Sequence, residues 1–252
     1  MNIIVPMKLV PDLVEELEVD SSGKDLDREW LKYKVNEFDD HALEEALLLK
    51  EAHGGTVIAI ALDTGEDAEK VLYTAAAKGA DRVVKITGDY AGVSNKVAAK
   101  ILANAIGGMD ASLVLTGVQS VEDRDGQIGV LLAHYLDIPH ISVVTSVEIN
   151  GSNVEVQKEY GGGIVAEFEA SMPILLGIQA ARETPRYVPV ARVRKSMRGT
   201  DLEEIAGDDS GVSTGSSVNR MFKPETGGGA EMISGSTDAI AGKLAEIIKS
   251  KM

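Results

Sequence analysis

Cysteine is absent from the 252-residue sequence, and histidine is rare. The lack of cysteine excludes disulfide bonds, thiolate metal sites and cysteine nucleophiles. The histidines show neither a metal-ligand spacing nor a neighbouring serine-nucleophile motif, and they are His41, His53, His134 and His140. Bond-making chemistry by side chains is therefore poorly supported, and we expect a site that binds a nucleotide or a protein partner.

Positive charge is also scarce, because 25 lysines and arginines stand against 40 acidic residues and give a formal net charge of −15. Such a charge disfavours binding to nucleic acid or to an anionic membrane through a general field. The apolar start "MNIIVPMKLV" lacks the charged region of a signal peptide and the length of a membrane span. We expect it to form the first buried strand of a cytoplasmic protein without direct membrane insertion.

What the sequence does contain is a regular alternation of strand and helix patterns. Apolar strand candidates cover residues 2–7, 56–62, 81–87 and 110–116, and the segments between them have helical periodicity. This alternation predicts an α/β fold, a Rossmann-like layered domain with a mostly parallel sheet and right-handed crossovers. The helix over 36–55 is well marked, with Asn36 or Asp39 as a cap and Gly54 as its stop.

The second half of the sequence has a different texture. Asn150-Gly151 between two alternating runs predicts an antiparallel hairpin added to the sheet, and residues 173–179 form one more buried strand. From about Val193 the chain is polar and rich in glycine and serine, with a helix at its end. We therefore predict a domain over 1–192 and an extended C-terminal arm over 193–252, which has too few apolar residues for its own core.

The loop "GVQSVEDRDGQIG" follows a predicted buried strand and precedes a helix. In layered α/β folds this position borders the ligand crevice, and backbone N–H groups at a helix start bind phosphate. The loop is neither a G-x-G-x-x-G nor a Walker A sequence. Spacing alone thus favours an ordinary connection in which Asp123 or Asp125 caps the helix, although the glycines are compatible with a ligand.

A second candidate, "NEFDD", opens the helix after the first strand and faces the same crevice. Asn36 could hydrogen-bond a base or a ribose. Phe38 is interpreted either as a staple that packs on the core or as an aromatic surface for a flat ring, and the sequence alone favours the staple.

With these residues in view, the chain resembles the β subunit of electron transfer flavoprotein over essentially its whole length. The motifs that carry the resemblance are "IIVPMKLVPD", "VNEFDDHALEEALLLKE", "AAAKGADRVV", "GVQS", "VQKEYGGG" and "ETPRY". The tail "VNRMFKPETGGGAEMISGSTDAIAGKLAEII" is similar to the family's carboxyl arm.

The resemblance implies an electron carrier subunit without a catalytic side chain. Such subunits pair with an α subunit whose FAD passes electrons from a flavin dehydrogenase to a quinone-linked acceptor. The β subunit helps to cradle that FAD and holds a structural AMP. In the electron-bifurcating branch a second FAD replaces the AMP and oxidises NADH, and this remains the alternative.

Carried over residue by residue, the family's nucleotide site falls on three short segments and a loop. The predicted residues are Pro6, Asn36, Glu37, Phe38, Asp39, Leu62, Gly117, Val118, Gln119, Ser120, Asp123, Asp125, Gly126, Gln127 and Ile128. Ile128 stands where the family often has a hydroxyl, and the loop lacks the "DGDT" run of bifurcating members. This departure favours AMP over a second FAD.

The resemblance also implies partner contacts. Glu159 matches an acidic residue that pairs with the mobile flavin domain of the α subunit, although an exposed strand carboxylate is the simpler interpretation. Val190, beside Arg192, Arg194 and Lys195, matches the leucine anchor of the family's recognition loop. A smaller anchor implies a partner other than the usual acyl-CoA dehydrogenase. The arm is expected to dock on the α subunit, and Phe38 to lie near its flavin.

Overall fold

The computed structural model describes residues 1–65, 67–123, 125–212, 217–224 and 227–252. The strands are β1 (Asn2–Pro6), β2 (Leu9–Pro11), β3 (Tyr33–Val35), β4 (Thr56–Leu62), β5 (Arg82–Thr87), β6 (Leu113–Gly117), β7 (His140–Asn150), β8 (Asn153–Tyr160), β9 (Ile164–Ser171), β10 (Ile174–Ile178) and β11 (Leu202–Ala206). The helices are α1 (Glu37–His53), α2 (Ala68–Lys78), α3 (Asn95–Ile106), α4 (Gln127–Leu136), α5 (Val190–Gly199) and α6 (Thr237–Lys251).

A nine-stranded sheet organises the chain, in the order β11-β5-β4-β1-β6-β10-β7-β8-β9. The strands from β11 to β7 are parallel, whereas β8 and β9 add to one edge in antiparallel orientation. A separate two-stranded sheet pairs β2 with β3. The predicted α/β class with a mostly parallel sheet and an antiparallel addition is confirmed.

Two apolar layers cover the central strands. Ile3 and Val5 of β1 face α1 and α2, whereas Ile4 faces α3 and α4, and all three side chains are completely buried. Such burial on both faces explains why the central strands read as continuous apolar runs. Because the crossover helices change faces between β1 and β6, the ends of these two strands form the topological switch point of the sheet.

The predicted hairpin is present between β7 and β8, with Gly151 at a φ of 62° in its turn. The glycines at 161–163 form the turn between β8 and β9. The carboxylates at 155, 159, 167 and 169 are all exposed.

The C-terminal part begins within the sheet domain. Helix α5 crosses the expected boundary at residue 192, and β11 pairs with β5, so the sheet extends to Ala206. Beyond it, α6 buries none of its residues. The residues at 213–216 and 225–226 of the predicted arm lie outside the described residues. Within the described chain, no helix combines the length and apolar character that a membrane crossing requires.

Candidate functional site

The carboxyl ends of β1, β4 and β6 meet at one edge of the sheet, where the predicted nucleotide residues converge. Pro6, Leu62 and Gly117 are the last residues of these strands, which are adjacent in the sheet. The loop after β6 and the first turn of α1 border the same place. We call the space between them the switch-point crevice, which is where layered α/β sheets bind ligands.

Asn36 lies at the floor of this crevice and is 2% exposed. Its backbone N–H donates to the Lys8 carbonyl at 3.0 Å, and its Nδ2 donates to the Gln119 carbonyl at 3.0 Å. Its Oδ1 is buried and accepts no hydrogen bond from the described residues. An unsatisfied buried acceptor costs about 1–3 kcal/mol, which a bound donor would recover.

Asp39, one turn further along α1, is buried as well. Its Oδ2 accepts the N–H of Lys8 at 3.0 Å, and the Gly117 N–H also bonds to the carboxylate. Burial raises the pKa of Asp39 to about 6, although the Lys8 ammonium, the Asn36 side chain and the two N–H groups favour the ionised form. The first turn of α1 therefore holds the segment after β1 and the end of β6 together.

Gly117 is required for this contact. A Cβ at this position would meet the Asp39 carboxylate, and it would lie 2.8 Å from both the Asp39 nitrogen and the Phe38 Cβ. Phe38 is the second residue of α1 and is half-buried, so it does not occupy the position before the cap that a hydrophobic staple needs. The staple interpretation is wrong, and Phe38 lies instead at the wall of the crevice.

The loop after β6 is tied by its own side chains. Ser120 is buried, and its Oγ accepts the N–H of Asp123 at 3.1 Å. Asp123 Oδ1 in turn accepts the N–H of Asp125 at 3.2 Å. The Val118 N–H is used by the Ile178 carbonyl at 3.0 Å, so it is not free for a ligand. Arg124, within the predicted loop, lies outside the described residues.

The start of α4 has no side-chain cap. Its capping residue is Gly126, in the left-handed conformation at φ 63°, which corrects the expectation that Asp123 or Asp125 caps this helix. The first helical N–H groups begin at Gln127 and Ile128, and no acidic residue lies in the first turn. Uncapped N–H groups and the helix dipole make this end suitable for an anion.

Two residues beside the crevice, Lys8 and Thr116, had no signal in the sequence. Lys8 follows β1, and its Nζ pairs with Glu122 Oε1 at 2.6 Å across the mouth of the crevice. Thr116 of β6 is 1% exposed, and its Oγ1 lacks a partner among the described residues. It lies on the α4 side of β6, beside Gly129, because a Cβ on that glycine would come within 2.9 Å of the hydroxyl.

A second group of charges fastens the segment before α5 onto α1. Glu45 Oε1 accepts from Arg182 Nε at 2.8 Å, and Glu44 Oε1 accepts from Arg186 Nη2 at 2.8 Å. Both glutamate side chains are buried, at 1% and 4% exposure. The N–H of Ala181 donates to Nδ1 of His41 at 3.2 Å. We call residues 179–187 the strap.

The predicted partner residues are exposed but lie on two separate elements. Val190, Arg192, Arg194 and Lys195 all belong to α5, a helix that packs against α2, where a recognition loop was expected. Glu159 is on β8, in the antiparallel part of the sheet, and its register partner on β9 is Val165. The structure therefore does not join them into one surface.

The sequence is similar to a known protein family over most of its length. The model of the electron transfer flavoprotein domain matches residues 25–206. The β subunit of electron transfer flavoprotein from Methylophilus methylotrophus is 34% identical over 98% of both chains. The β subunit from Bacillus subtilis is 34% identical over 83% of this chain and 80% of the relative. The caffeyl-CoA reductase-Etf complex subunit CarD of Acetobacterium woodii is 28% identical over 100% of this chain and 99% of its own. The chain therefore belongs to the electron transfer flavoprotein family, among its β subunits.

Proposed function

We propose that the chain holds a structural AMP in the switch-point crevice, helps to cradle the FAD of its α subunit and docks a flavin dehydrogenase through α5. Electrons would then pass to a quinone-linked acceptor. As a β subunit of this family, the chain works with an α subunit in a flavin-containing complex. Its own side chains bind and orient, while a bound FAD supplies the electron-transfer chemistry.

The observation that carries the AMP proposal is the buried, unpartnered Oδ1 of Asn36. A buried amide oxygen is satisfied by an N–H or O–H donor, and adenine and ribose both supply such donors. The uncapped start of α4 lies at the other wall and suits the phosphate. Gly117 and Gly126 allow the backbone on either side of the loop after β6 to lie directly against Asp39 and Val118, which shapes the border of the crevice. The residues therefore fit AMP.

The docking proposal rests on the character of α5. Its exposed lysine and arginines contrast with the net negative charge of the chain, and Val190 is 64% exposed at the start of the helix. The strap fixes the position of this helix, because its arginines are bonded to buried carboxylates of α1. An exposed apolar residue among cations supports a partner surface that is apolar at its centre and acidic at its rim.

A second candidate is that the crevice holds FAD, which would accept electrons from NADH. The full-length similarity to CarD, a subunit of a caffeyl-CoA reductase-Etf complex, favours keeping this alternative. The same acceptor in Asn36 and the same helix start would serve the adenine and phosphate parts of either nucleotide. The two candidate functions therefore differ in the part of the nucleotide that lies beyond the crevice.

Counting nucleotides in the purified heterodimer distinguishes the two candidates. After denaturation we expect one AMP and one FAD per heterodimer, whereas two FAD and no AMP would establish the alternative. Asn36→Ala should lose AMP and keep the FAD of the α subunit, because it removes the buried acceptor. Asn104→Ala is the matched control, since Asn104 is an exposed residue of α3 that bonds to the Asp208 carbonyl. A heterodimer without any nucleotide beyond one FAD contradicts both candidates.

A further inference from the structure

The carboxylate of Asp39 joins two loops that border the switch-point crevice. It accepts the Lys8 N–H, from the segment after β1, at 3.0 Å and also the N–H of Gly117, the last residue of β6. These two N–H groups come from positions more than a hundred residues apart in the sequence. A single buried side chain therefore connects the two sides of the crevice.

Asn36 reinforces the same connection from the helix cap. Its N–H donates to the Lys8 carbonyl, and its Nδ2 donates to the carbonyl of Gln119 in the loop after β6. At the mouth, Lys8 Nζ pairs with Glu122 Oε1 at 2.6 Å. The separation of the two loops thus follows from bonds that converge on the first turn of α1.

The charge state of Asp39 matters for this geometry. A carboxylate offers acceptor lone pairs on both oxygens, whereas a protonated carboxyl turns one oxygen into a donor. Burial raises the pKa of Asp39 to about 6, so the group changes its charge near neutral pH. The charged groups nearby are Lys8 after β1, Glu122 after β6, and Glu37 and Asp40 on α1 itself.

We propose that Asp39 is a positioning residue that sets the spacing of the two loops for AMP, and that its protonation releases the nucleotide. The proposal rests on the proposed AMP site and adds to it an acid-dependent affinity. An ionised Asp39 holds both N–H groups, and a neutral one holds them more weakly, because its protonated oxygen is a donor and a poorer acceptor. Affinity is therefore high at neutral pH and falls in acid.

The experiment compares adenosine and AMP binding to the nucleotide-stripped heterodimer across pH. The phosphate of AMP has its own pKa near 6, so adenosine isolates the contribution of the protein. For a single proton, the dissociation constant of adenosine should rise about tenfold between about pH 7 and about pH 5. Asp39→Asn should bind adenosine more weakly than the wild type at neutral pH, with no such step in acid.

Asp40→Asn is the matched control, because it removes a carboxylate from the same helical turn. Asp40 pairs with Lys78 of α2 at 2.5 Å and makes no bond to the described residues of either loop of the crevice. It should keep both the affinity and the pH step of the wild type. Equal pH steps in the wild type and in Asp39→Asn would overturn the proposal.

Amide hydrogen exchange gives a second readout that does not require the variant to fold. In the wild type, exchange at Lys8 and Gly117 should accelerate relative to the intrinsic rate as the pH falls below about 6. If the protection of both amides does not change with pH, Asp39 does not hold the two loops together, even if the affinity for the nucleotide varies with pH. If the heterodimer binds neither AMP nor adenosine, the proposed AMP site fails, and the exchange data still decide whether Asp39 joins the two loops.

Discussion

At the scale of single residues, space and charge around the switch-point crevice are set by a few side chains and one glycine. Gly117 has an ordinary φ, so its requirement is for room and not for a left-handed backbone. The helix backbone at Asp39 and the Cβ of Phe38 occupy the place of a side chain. Neither neighbour is a flexible chain end, so a methyl group can be accommodated only by moving α1 or β6.

Gly117→Ala should lower the free energy of unfolding by about 1–3 kcal/mol, as expected for overpacking at a buried contact. It should also reduce the AMP content of the heterodimer, because the end of β6 moves away from Asp39. The midpoint of urea unfolding and the nucleotide count measure the two effects. Gly161→Ala is the control, since a Cβ there meets nothing within 4 Å. Indistinguishable midpoints for the two variants would contradict the packing argument.

At the scale of elements, the strap shows how buried charge fixes the position of α5. Burial raises the pKa of Glu45, and the bonds from Arg182 act against this shift. The carboxylate is 1% exposed, whereas the arginine is 34% exposed. Removing the arginine would therefore leave an uncompensated buried charge, which costs much more than losing a surface pair.

Arg182→Ala should lower the free energy of unfolding by about 3 kcal/mol for this reason. Arg82→Ala is the matched control, because Arg82 pairs with Glu203 at 2.7 Å but both side chains are about 40% exposed. That half-exposed pair should contribute at most about 1 kcal/mol to the free energy of unfolding. Urea unfolding of both variants tests the difference, and similar losses would show that the strap is not held by its buried carboxylate.

A second element-scale contact joins the arm to the excursion between β2 and β3. The Met221 N–H donates to the Gly23 carbonyl at 2.7 Å, and Lys223 Nζ pairs with Glu18 Oε1 at 2.6 Å and Glu16 Oε1 at 3.3 Å. An apolar groove between them is lined by Leu17, Val19, Leu26, Met221, Phe222 and Pro224. The arm thus leaves the domain from a defined point.

Lys223→Glu should release this part of the arm, because it places a third carboxylate beside two others. Exposed pairs contribute little to global stability, so the unfolding midpoint should change by less than about 1 kcal/mol. Hydrogen exchange at the Met221 amide should nevertheless become faster. Lys243→Glu, which affects an exposed pair with Glu231 within the arm, is the control and should leave that amide unchanged.

The elements that the sequence predicted are those with local signals. Helices α2 and α3 have caps in Asp67 and Ser94 that accept N–H groups of their own first turns, and apolar periodicity defines their buried faces. Strand β11 reads as "LEEIA", a polar run, and becomes a strand only because β5 offers it an edge. Its existence depends on a partner distant in sequence, which no local pattern records.

The same distinction applies to the candidate site. Asn36 was a candidate from its place at the start of a helix, and the resemblance to known motifs added Asp39 and Gly117, while spacing alone left the loop after β6 as a connector. Thr116 lies inside an apolar strand, and its unpartnered hydroxyl is a property of packing beside Gly129. Helix α5 was expected as a loop because the resemblance places the family's recognition loop there; it is a helix that packs on α2 with no buried residue.

At the scale of the whole molecule, the sheet domain has buried apolar cores, whereas the terminal helix of the arm contributes to none. The two apolar cores lie on the two faces of the sheet, and no residue of α6 belongs to either. Helix α6 is nevertheless locally encoded, with the Ser236 hydroxyl accepting the Ala239 N–H at its start and lysines in its last turn. A helix with good local signals and nothing to cover its apolar side is typical of a docking element.

The apolar side of α6 is a stripe at helical spacing, formed by Ile240, Leu244, Ile247 and Ile248. The last three are 46%, 41% and 59% exposed. If the arm docks on the α subunit as proposed, the stripe should be buried there. Each large side chain should then contribute about 2 kcal/mol to the binding free energy. The variant Leu244→Ser with Ile248→Ser should therefore weaken the heterodimer by at least about tenfold.

The matched control changes two residues on the opposite face, Glu246→Ser with Lys249→Ser, and should leave the affinity unchanged. Both double variants of the isolated chain should unfold at the wild-type midpoint, because α6 contributes no buried residue to the domain. Sedimentation equilibrium of the mixed subunits measures the first effect, and urea unfolding of this chain alone measures the second. A heterodimer equally tight for both variants would mean that the arm reaches its partner by another surface, whereas a shifted midpoint would mean that α6 packs on its own domain.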